Sequence, residues 1–304
     1  MTFARVSALV AALVVLPGLS GAQTLLGRSD SVFTWRGPLR AGALLTVRNH
    51  NGPIDVRPAT GAQVELRAEK RARYGNLSDV AFNVGTNADG NVTICSTFRG
   101  NDPCDQDRNG RSRNDDDGWR RSVTVVMTVL VPRGAQVRVS TGNGAVTVER
   151  VGGEVSASTG NGRVTVRNTD GAVRVTTGNG DVEVREVAGA VRVTTGNGRV
   201  SVSTARGPVE ARSGNGDVDV RMTTVQASED MTFSTGSGDV RVTLPADYNG
   251  DLDASTGNGS ISSDFDLTVE GRLSPRRVRA AIGRGGARLR LATGNGKLEV
   301  RKVQ

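Results

Sequence analysis

The chain has 304 residues, 39 Lys and Arg against 31 Asp and Glu, a formal net charge of +8, only 3% aromatic residues and 40 glycines. Few aromatics beside abundant Gly, Val and Thr favour strands and exclude a helical bundle, since amphipathic helical periodicity is also absent. Two cysteines and one histidine leave no set of soft ligands for a zinc or iron–sulfur site.

Residues 1–22 read as a secretory signal, with Arg5 as the positive start, Ala8 to Leu16 as the apolar stretch and Ser20-Gly21-Ala22 as the cleavage site. No cysteine follows the cut, so a lipid anchor is not expected. No later run approaches the roughly 20 apolar residues of a spanning helix. The expectation is an exported product of the periplasm, cell envelope or extracellular space, with no membrane span.

Residues 23–135 read as irregular coils. In "LLTVRNHNGPIDV", Leu45, Val47, Ile54 and Val56 alternate with polar residues on either side of the Asn51-Gly52 turn. Further on, Cys95 and Cys104 would enter an oxidising compartment, where close pairs cross-link, and a disulfide between them is expected. The loop between them, "STFRGNDP", is short and polar, so the bridge pins an excursion rather than holding the fold. That excursion belongs to a polar insertion over 99–121. Within it, Asp105, Asp107, Asn109, Gly110 and Asp116 match the spacing of a calcium loop. The final ligand is Asp instead of Glu, three arginines intervene and no helix flanks it, so the insertion is read as solvated charge and no metal site is assigned.

Residues 136–220 carry the clearest pattern. Gly142, Gly160, Gly178, Gly196 and Gly214 open five [ST]GNG units, each 18 residues after the last. Val155, Ala157, Val164 and Val166 typify the apolar positions, every second residue on both sides of the turn, as in strands with one buried face. An antiparallel meander would leave one very large valine face in water with no helix to cover it. A solenoid buries the two strand faces of each coil against one another and stacks coils about 4.8 Å apart. The fold class expected is therefore all-β, a parallel β-helix or β-solenoid with 18 residues per coil in the central repeats. In such a stack Asn143, Asn161, Asn179, Asn197 and Asn215 form an amide ladder. Thr141, Thr159, Thr177, Thr195 and Ser213 form a hydroxyl ladder beside it, side chain donating to side chain, and the flanking glycines allow a sharp corner of positive φ. Residues 221–304 continue as looser coils, "DLDASTGNG" among them, with an insertion over about 262–286.

The iterated "TGNGDVEV" and "SGNGDVDV", the lead-in "VPRGAQVRV" and the closing "LATGNGKLEV" resemble the bacterial putative adhesin family, exported or envelope proteins built on a β-solenoid domain of unknown function. The resemblance covers most of the mature chain. It implies a parallel β-helix and a role at the cell surface, and it supplies no catalytic motif.

Other chemistry lacks its residues. A calcium roll needs Asp at every turn, yet Ala145, Arg163, Arg199, Ser260 and Lys297 follow the GNG at their corners. A polysaccharide lyase or hydrolase, the alternative function on this fold, needs paired acids beside stacking aromatics, but Trp35, Tyr74, Trp119 and Tyr248 are scattered. His50, the one histidine, lies in an ordinary corner, "NHNG". No catalytic, cofactor or metal residues are assigned. The reading is a non-enzymatic interaction protein, an adhesin, scaffold or sensor. Its outward arginines are Arg138, Arg174, Arg192 and Arg212 on one face and Arg167, Arg185 and Arg221 on the other. They suit an anionic polysaccharide, lipid headgroups or an envelope protein, and no nucleic acid.

Overall fold

The computed structural model describes residues 25–26, 30–73, 75–98, 123–204, 206–225, 229–269 and 274–303. The signal stretch, Tyr74, Cys104, the calcium-like loop and Trp119 lie outside them. Among the described residues no helix is long and apolar enough to cross a membrane.

The strands that open the chain are β1 (Leu25–Leu26), β2 (Val32–Pro38), β3 (Leu44–Asn51), β4 (Ile54–Pro58), β5 (Gln63–Ala72), β6 (Val80–Thr86), β7 (Val92–Phe98) and β8 (Val123–Val131). The regular repeats supply β9 (Gln136–Asn143), β10 (Val146–Glu149), β11 (Val155–Asn161), β12 (Val164–Thr169), β13 (Val173–Asn179), β14 (Val182–Val187), β15 (Val191–Asn197), β16 (Val200–Thr204), β17 (Val209–Asn215) and β18 (Val218–Met222). The C-terminal part adds β19 (Met231–Ser237), β20 (Val240–Leu244), β21 (Gly250–Asn258), β22 (Ile261–Ser263), β23 (Leu267–Val269), β24 (Arg277–Ile282), β25 (Arg288–Asn295) and β26 (Leu298–Lys302).

These strands form two facing sheets. Sheet A runs β1-β6-β7-β3-β9-β11-β13-β15-β17-β19-β25-β21-β24-β23, and sheet B runs β2-β5-β8-β4-β10-β12-β14-β16-β18-β20-β26-β22. At the usual strand spacing the longer sheet extends about 60 Å. Ten coils give one parallel strand to each sheet, so the all-β solenoid is the observed architecture. Register is in step: Val155 lies against Val137 and Val173, Val164 against Val146 and Val182, and Asn161 against Asn143 and Asn179. Alternation then sends Val139, Ala157, Val175 and Val193 of sheet A and Val148, Val166, Val184 and Val202 of sheet B into a continuous buried core.

The return corner, from sheet B to sheet A, uses a residue in the left-handed region in successive coils: Arg150, Asn168 and Glu186, at φ 54°, 55° and 54°. Each such residue turns the one after it, Val151, Thr169 or Val187, into the core, where all three are buried.

Both ends depart from chain order. Coil β3/β4 is first in sequence, yet β7/β8 lies outside it and β9/β10 inside. The last coil in sequence, β25/β26, is inserted between β19/β20 and β21/β22. Consecutive segments therefore lie on one another only through the central repeats. Antiparallel strands finish the ends: β6 on β7, β5 and β2 beyond β8, β24 on β21 and β23 on β24. Residues 262–286 are thus not only a polar excursion, because they contain β23 and β24.

Larger side chains close the core where the valine columns stop. At one end Phe33 of β2 stacks on Phe82 of β6, with centroids 4.5 Å apart and planes 9° from parallel. Lys70 of β5 is buried beside them, its ammonium donating to the carbonyls of Val80 (2.6 Å) and Leu77 (3.1 Å) and lying 5.6 Å from the Phe82 centroid. Burial lowers its pKa from the ordinary lysine value, against a smaller opposing effect of Asp30. At the other end Tyr248 meets Phe265 edge to face at 6.5 Å, and burial pushes its phenol up to about 12. The outermost strands are short or end in Pro38, which blunts the open edges against further pairing.

Candidate functional site

The TGNG corner is where the repeated tetrapeptide acts, and its action is structural. Asn161, Asn179, Asn197 and Asn215 each donate Nδ2 to the Oδ1 of the asparagine one coil before, at 2.8, 2.9, 2.7 and 2.8 Å. Ser237 interrupts the column, which resumes as Asn258 donating to Asn295 at 2.9 Å. The hydroxyls behave differently from the expected side-chain ladder. Thr159, Thr177, Thr195 and Ser213 donate to the carbonyls of Gly144, Gly162, Gly180 and Gly198, the second glycine of the preceding corner, at 3.0 to 3.3 Å. Their side chains point inward and are buried, and they satisfy a carbonyl left without a strand partner at the bend.

The two glycines also differ. The second has positive φ, +153° at Gly162. The first is required by close approach alone, since a Cβ on Gly178 would lie 2.6 Å from the Gly160 oxygen.

The acids beside the corner are the part that composition hid. Asp181 Oδ1 accepts the Arg199 N–H at 3.0 Å, Asp217 Oδ1 the Asp239 N–H at 3.0 Å, and Asp239 Oδ1 the Lys297 N–H at 2.7 Å. Arg163 and Arg199 pair with Asp181 and Asp217 at 3.1 and 3.4 Å. Each carboxylate therefore holds the backbone of the next coil.

That arrangement carries a pH dependence. The Arg199 N–H, and then Arg163 beside it, hold the Asp181 carboxyl below its ordinary value of 3.8, while hydrogen bonding from Arg241 does the same for Glu299 below 4.5. Depressed carboxyls stabilise the fold above their unfolded values and lose that contribution as pH falls through the folded ones. The melting temperature is expected to be level from neutral pH to about 5 and then to fall. The double variant Asp181→Asn, Glu299→Gln should melt lower at pH 7 and fall less steeply in acid; an unchanged acid slope would refute the assignment.

A hollow of about 150 Å³ lies between β16, β18 and β20, lined by Arg199, Asp217, Asp219, Asp239 and Arg241. Ligand sites for small molecules measure about 300–1,000 Å³. His50, at its own corner, is exposed, and its backbone N–H donates to Ser96.

The seven candidate arginines divide by environment. On the outer face of sheet A, Arg138, Ser156, Arg174, Arg192 and Glu210 occupy one row on successive strands. Arg212 stands in the neighbouring row, opposite Thr194. Glu210 takes both Arg192 (2.6 Å) and Arg212 (2.5 Å). Arg138 and Arg174 form no ion pair among the described residues. On sheet B, Arg167 and Arg185 share Glu183 at 3.0 and 2.6 Å, while Arg221 further along the row forms no ion pair among the described residues. The structure thus brings Arg174 and Arg192 side by side, with Arg138 two coils from Arg174, and separates them from Arg167, Arg185 and Arg221 on the opposite face.

Sequence reasoning missed Arg277 and Arg279 of β24, which project beside Asp253 at 3.7 Å each, and Arg290 of β25 in the same outward row as Arg279. The signal was present in "RVRAAI", a period-two stretch inside what reads as an insertion.

Cys95 is buried on β7, opposite Arg48 of β3, and its expected partner lies outside the described residues. β7 ends at Phe98 and β8 begins at Val123, and the residues between them lie outside the described ones.

Among curated proteins none matches this chain. Solved structures similar to it include a putative adhesin from Bacteroides fragilis NCTC 9343, 12% identical, with 91% of this chain and 99% of that chain covered at a TM-score of 0.45, and a putative cell adhesion protein from Clostridium sporogenes ATCC 15579, 10% identical, with 90% and 100% covered at 0.29. Residues 44–301, from the first residue of β3 into β26, match one family throughout, and the chain belongs to the Toastrack DUF4097 family.

Proposed function

We propose that this is a non-enzymatic, exported contact protein of the cell envelope whose sheet A outer face meets an acidic polysaccharide. The observation that carries the reading is the row Arg138, Arg174 and Arg192, rigidly held on strands, in which the first two are uncommitted to any carboxylate among the described residues. Arg138 and Arg174 lie two coils apart, about 10 Å, which suits an extended acidic polymer whose like-facing carboxylates recur at every second sugar. A bilayer is the poorer fit, because peripheral binding gains from apolar side chains that enter the interface and Val269 is the one large exposed hydrophobic among the described residues. Catalysis lacks support at the hollow, where the acids are engaged by backbone N–H groups and guanidinium groups. Export goes with a Cys95–Cys104 disulfide, which would close the short polar loop between those two residues.

Titration calorimetry of the mature protein with alginate at low salt tests this. Arg138→Glu with Arg174→Glu should weaken binding about tenfold, whereas Arg167→Glu with Arg185→Glu on sheet B should change it little. Equal losses on both faces, or no binding by the parent, would reject the assigned face. Binding to anionic phospholipid vesicles instead of alginate would replace the partner, and new reducing ends or unsaturated product on incubation would replace the class.

A further inference from the structure

The chain has ten Asn-Gly pairs, and eight of them sit at the corners that lead from sheet A to sheet B: Asn51, Asn143, Asn161, Asn179, Asn197, Asn215, Asn258 and Asn295. Such a pair is the dipeptide most prone to spontaneous loss of ammonia, because glycine leaves its own nitrogen free to approach the asparagine side chain. In seven of the eight the structure occupies that nitrogen. The N–H of Gly52, Gly144, Gly162, Gly180, Gly198, Gly216 and Gly296 donates to a backbone carbonyl of the adjacent coil at 2.6 to 2.9 Å.

Asn258-Gly259 is the exception. It turns the corner of β21/β22, the outermost coil at its end, and the capping strand β24 pairs with β21 only as far as Ser255. Gly259 N–H makes no backbone hydrogen bond among the described residues. Gly259 is also exposed, whereas the other seven glycines are buried or half-buried. Asn258 donates inward to Asn295, but its own Oδ1 has no further asparagine to receive from.

We infer that Asn258 is the site at which the amide column is chemically modified, by deamidation through a cyclic imide. Hydroxide removes the Gly259 N–H proton; the nitrogen attacks Asn258 Cγ, forming the C–N bond as ammonia leaves. Water then opens the five-membered imide at either carbonyl, giving aspartate or isoaspartate, with no oxidant or reductant needed. The product carries a new carboxylate and has lost the donor to Asn295. Isoaspartate also adds a backbone atom to the corner, which detaches β22 from β26. The interior corners are spared, because their glycine nitrogens must first leave the hydrogen bonds between coils.

The full mature chain, held for weeks at pH 8 and 37 °C, is digested and mapped by tandem mass spectrometry. The +1 Da product is expected at Asn258 at least about tenfold faster than at any of the other seven corners, and faster still at higher pH. Asn258→Ser, which copies the serine found at the Ser237 corner, should abolish it and stay folded. Hydrogen exchange supplies an independent readout, with the Gly259 amide exchanging at the rate of an open chain and the seven others protected. A protected Gly259 amide, or product spread evenly over the eight corners, overturns the inference.

Discussion

Gly198→Ala is expected to destabilise the solenoid by about 3–5 kcal/mol, among the largest effects a single methyl group can have. A Cβ at that position would lie 2.2 Å from the Gly180 oxygen and 2.5 Å from its carbon, both backbone atoms, at a residue whose φ is +146°. Neither neighbour can yield locally. Gly180 is itself held by the coil after it, the one that carries Gly198, through the Thr195 hydroxyl on its carbonyl and the Asn197 carbonyl on its N–H. Relief therefore requires the stack to open at that coil, with loss of register on both sheets. Gly61→Ala is the control, since a Cβ there meets nothing within 4 Å, and it should fall within about 0.5 kcal/mol of the parent. Urea unfolding followed by circular dichroism reads both. Equal midpoints for Gly198→Ala and the parent would mean that the corners do not touch.

The reason one methyl group matters so much also explains which features the sequence reveals. Eighteen-residue spacing, alternating valines and the Asn-Gly bend are local patterns, and every coil repeats them, so coil shape and core-facing residues follow directly from Val155, Ala157, Val164 and Val166. Which coil neighbours which is a different question. Leu289 and Leu291 of β25 offer β19 the same kind of apolar edge that Leu252 and Ala254 of β21 would, and period-two reading cannot choose between them. The chain takes the non-sequential choice at both ends. The antiparallel strands β24 and β6 then have a terminal coil to cover, and large residues such as Phe82 and Ile282 finish the core.

The candidate contact surface was legible to a smaller extent. Alternation places Arg138, Arg174 and Arg192 outward from sequence alone, but their freedom depends on carboxylates one coil away. Glu210 is one residue before Ala211 in sequence and sits beside Arg192 only because register aligns them. Pairing of that kind quenches four of the seven arginines through just two acids, Glu183 and Glu210. The acids at the corners are legible only in part for a related reason: in sequence Asp181, Asp217 and Asp239 read as a row of tolerated surface charges, and only the stack shows that each accepts a backbone N–H from the next coil.

Threonine shows most sharply how position outweighs residue type, and it yields the second large effect. Thr195 and Thr169 are both fully buried, at 2% and 1% exposure. Thr195 donates to the Gly180 carbonyl at 3.1 Å, while the Thr169 hydroxyl finds no partner and lies in a column with Val151 and Val187. Valine has nearly the same shape as threonine, so the substitution isolates the hydroxyl at each site. Thr195→Val strands a buried carbonyl and should cost about 1–3 kcal/mol, whereas Thr169→Val removes an unpaired hydroxyl from an apolar column and should stabilise by about 1–2 kcal/mol. Measured by urea unfolding at pH 7, the two variants should move in opposite directions from the parent. A Thr195→Val variant no less stable than the parent would show that the inward hydroxyl at the corner contributes nothing to joining one coil to the next, and a destabilised Thr169→Val would show that its hydroxyl is satisfied.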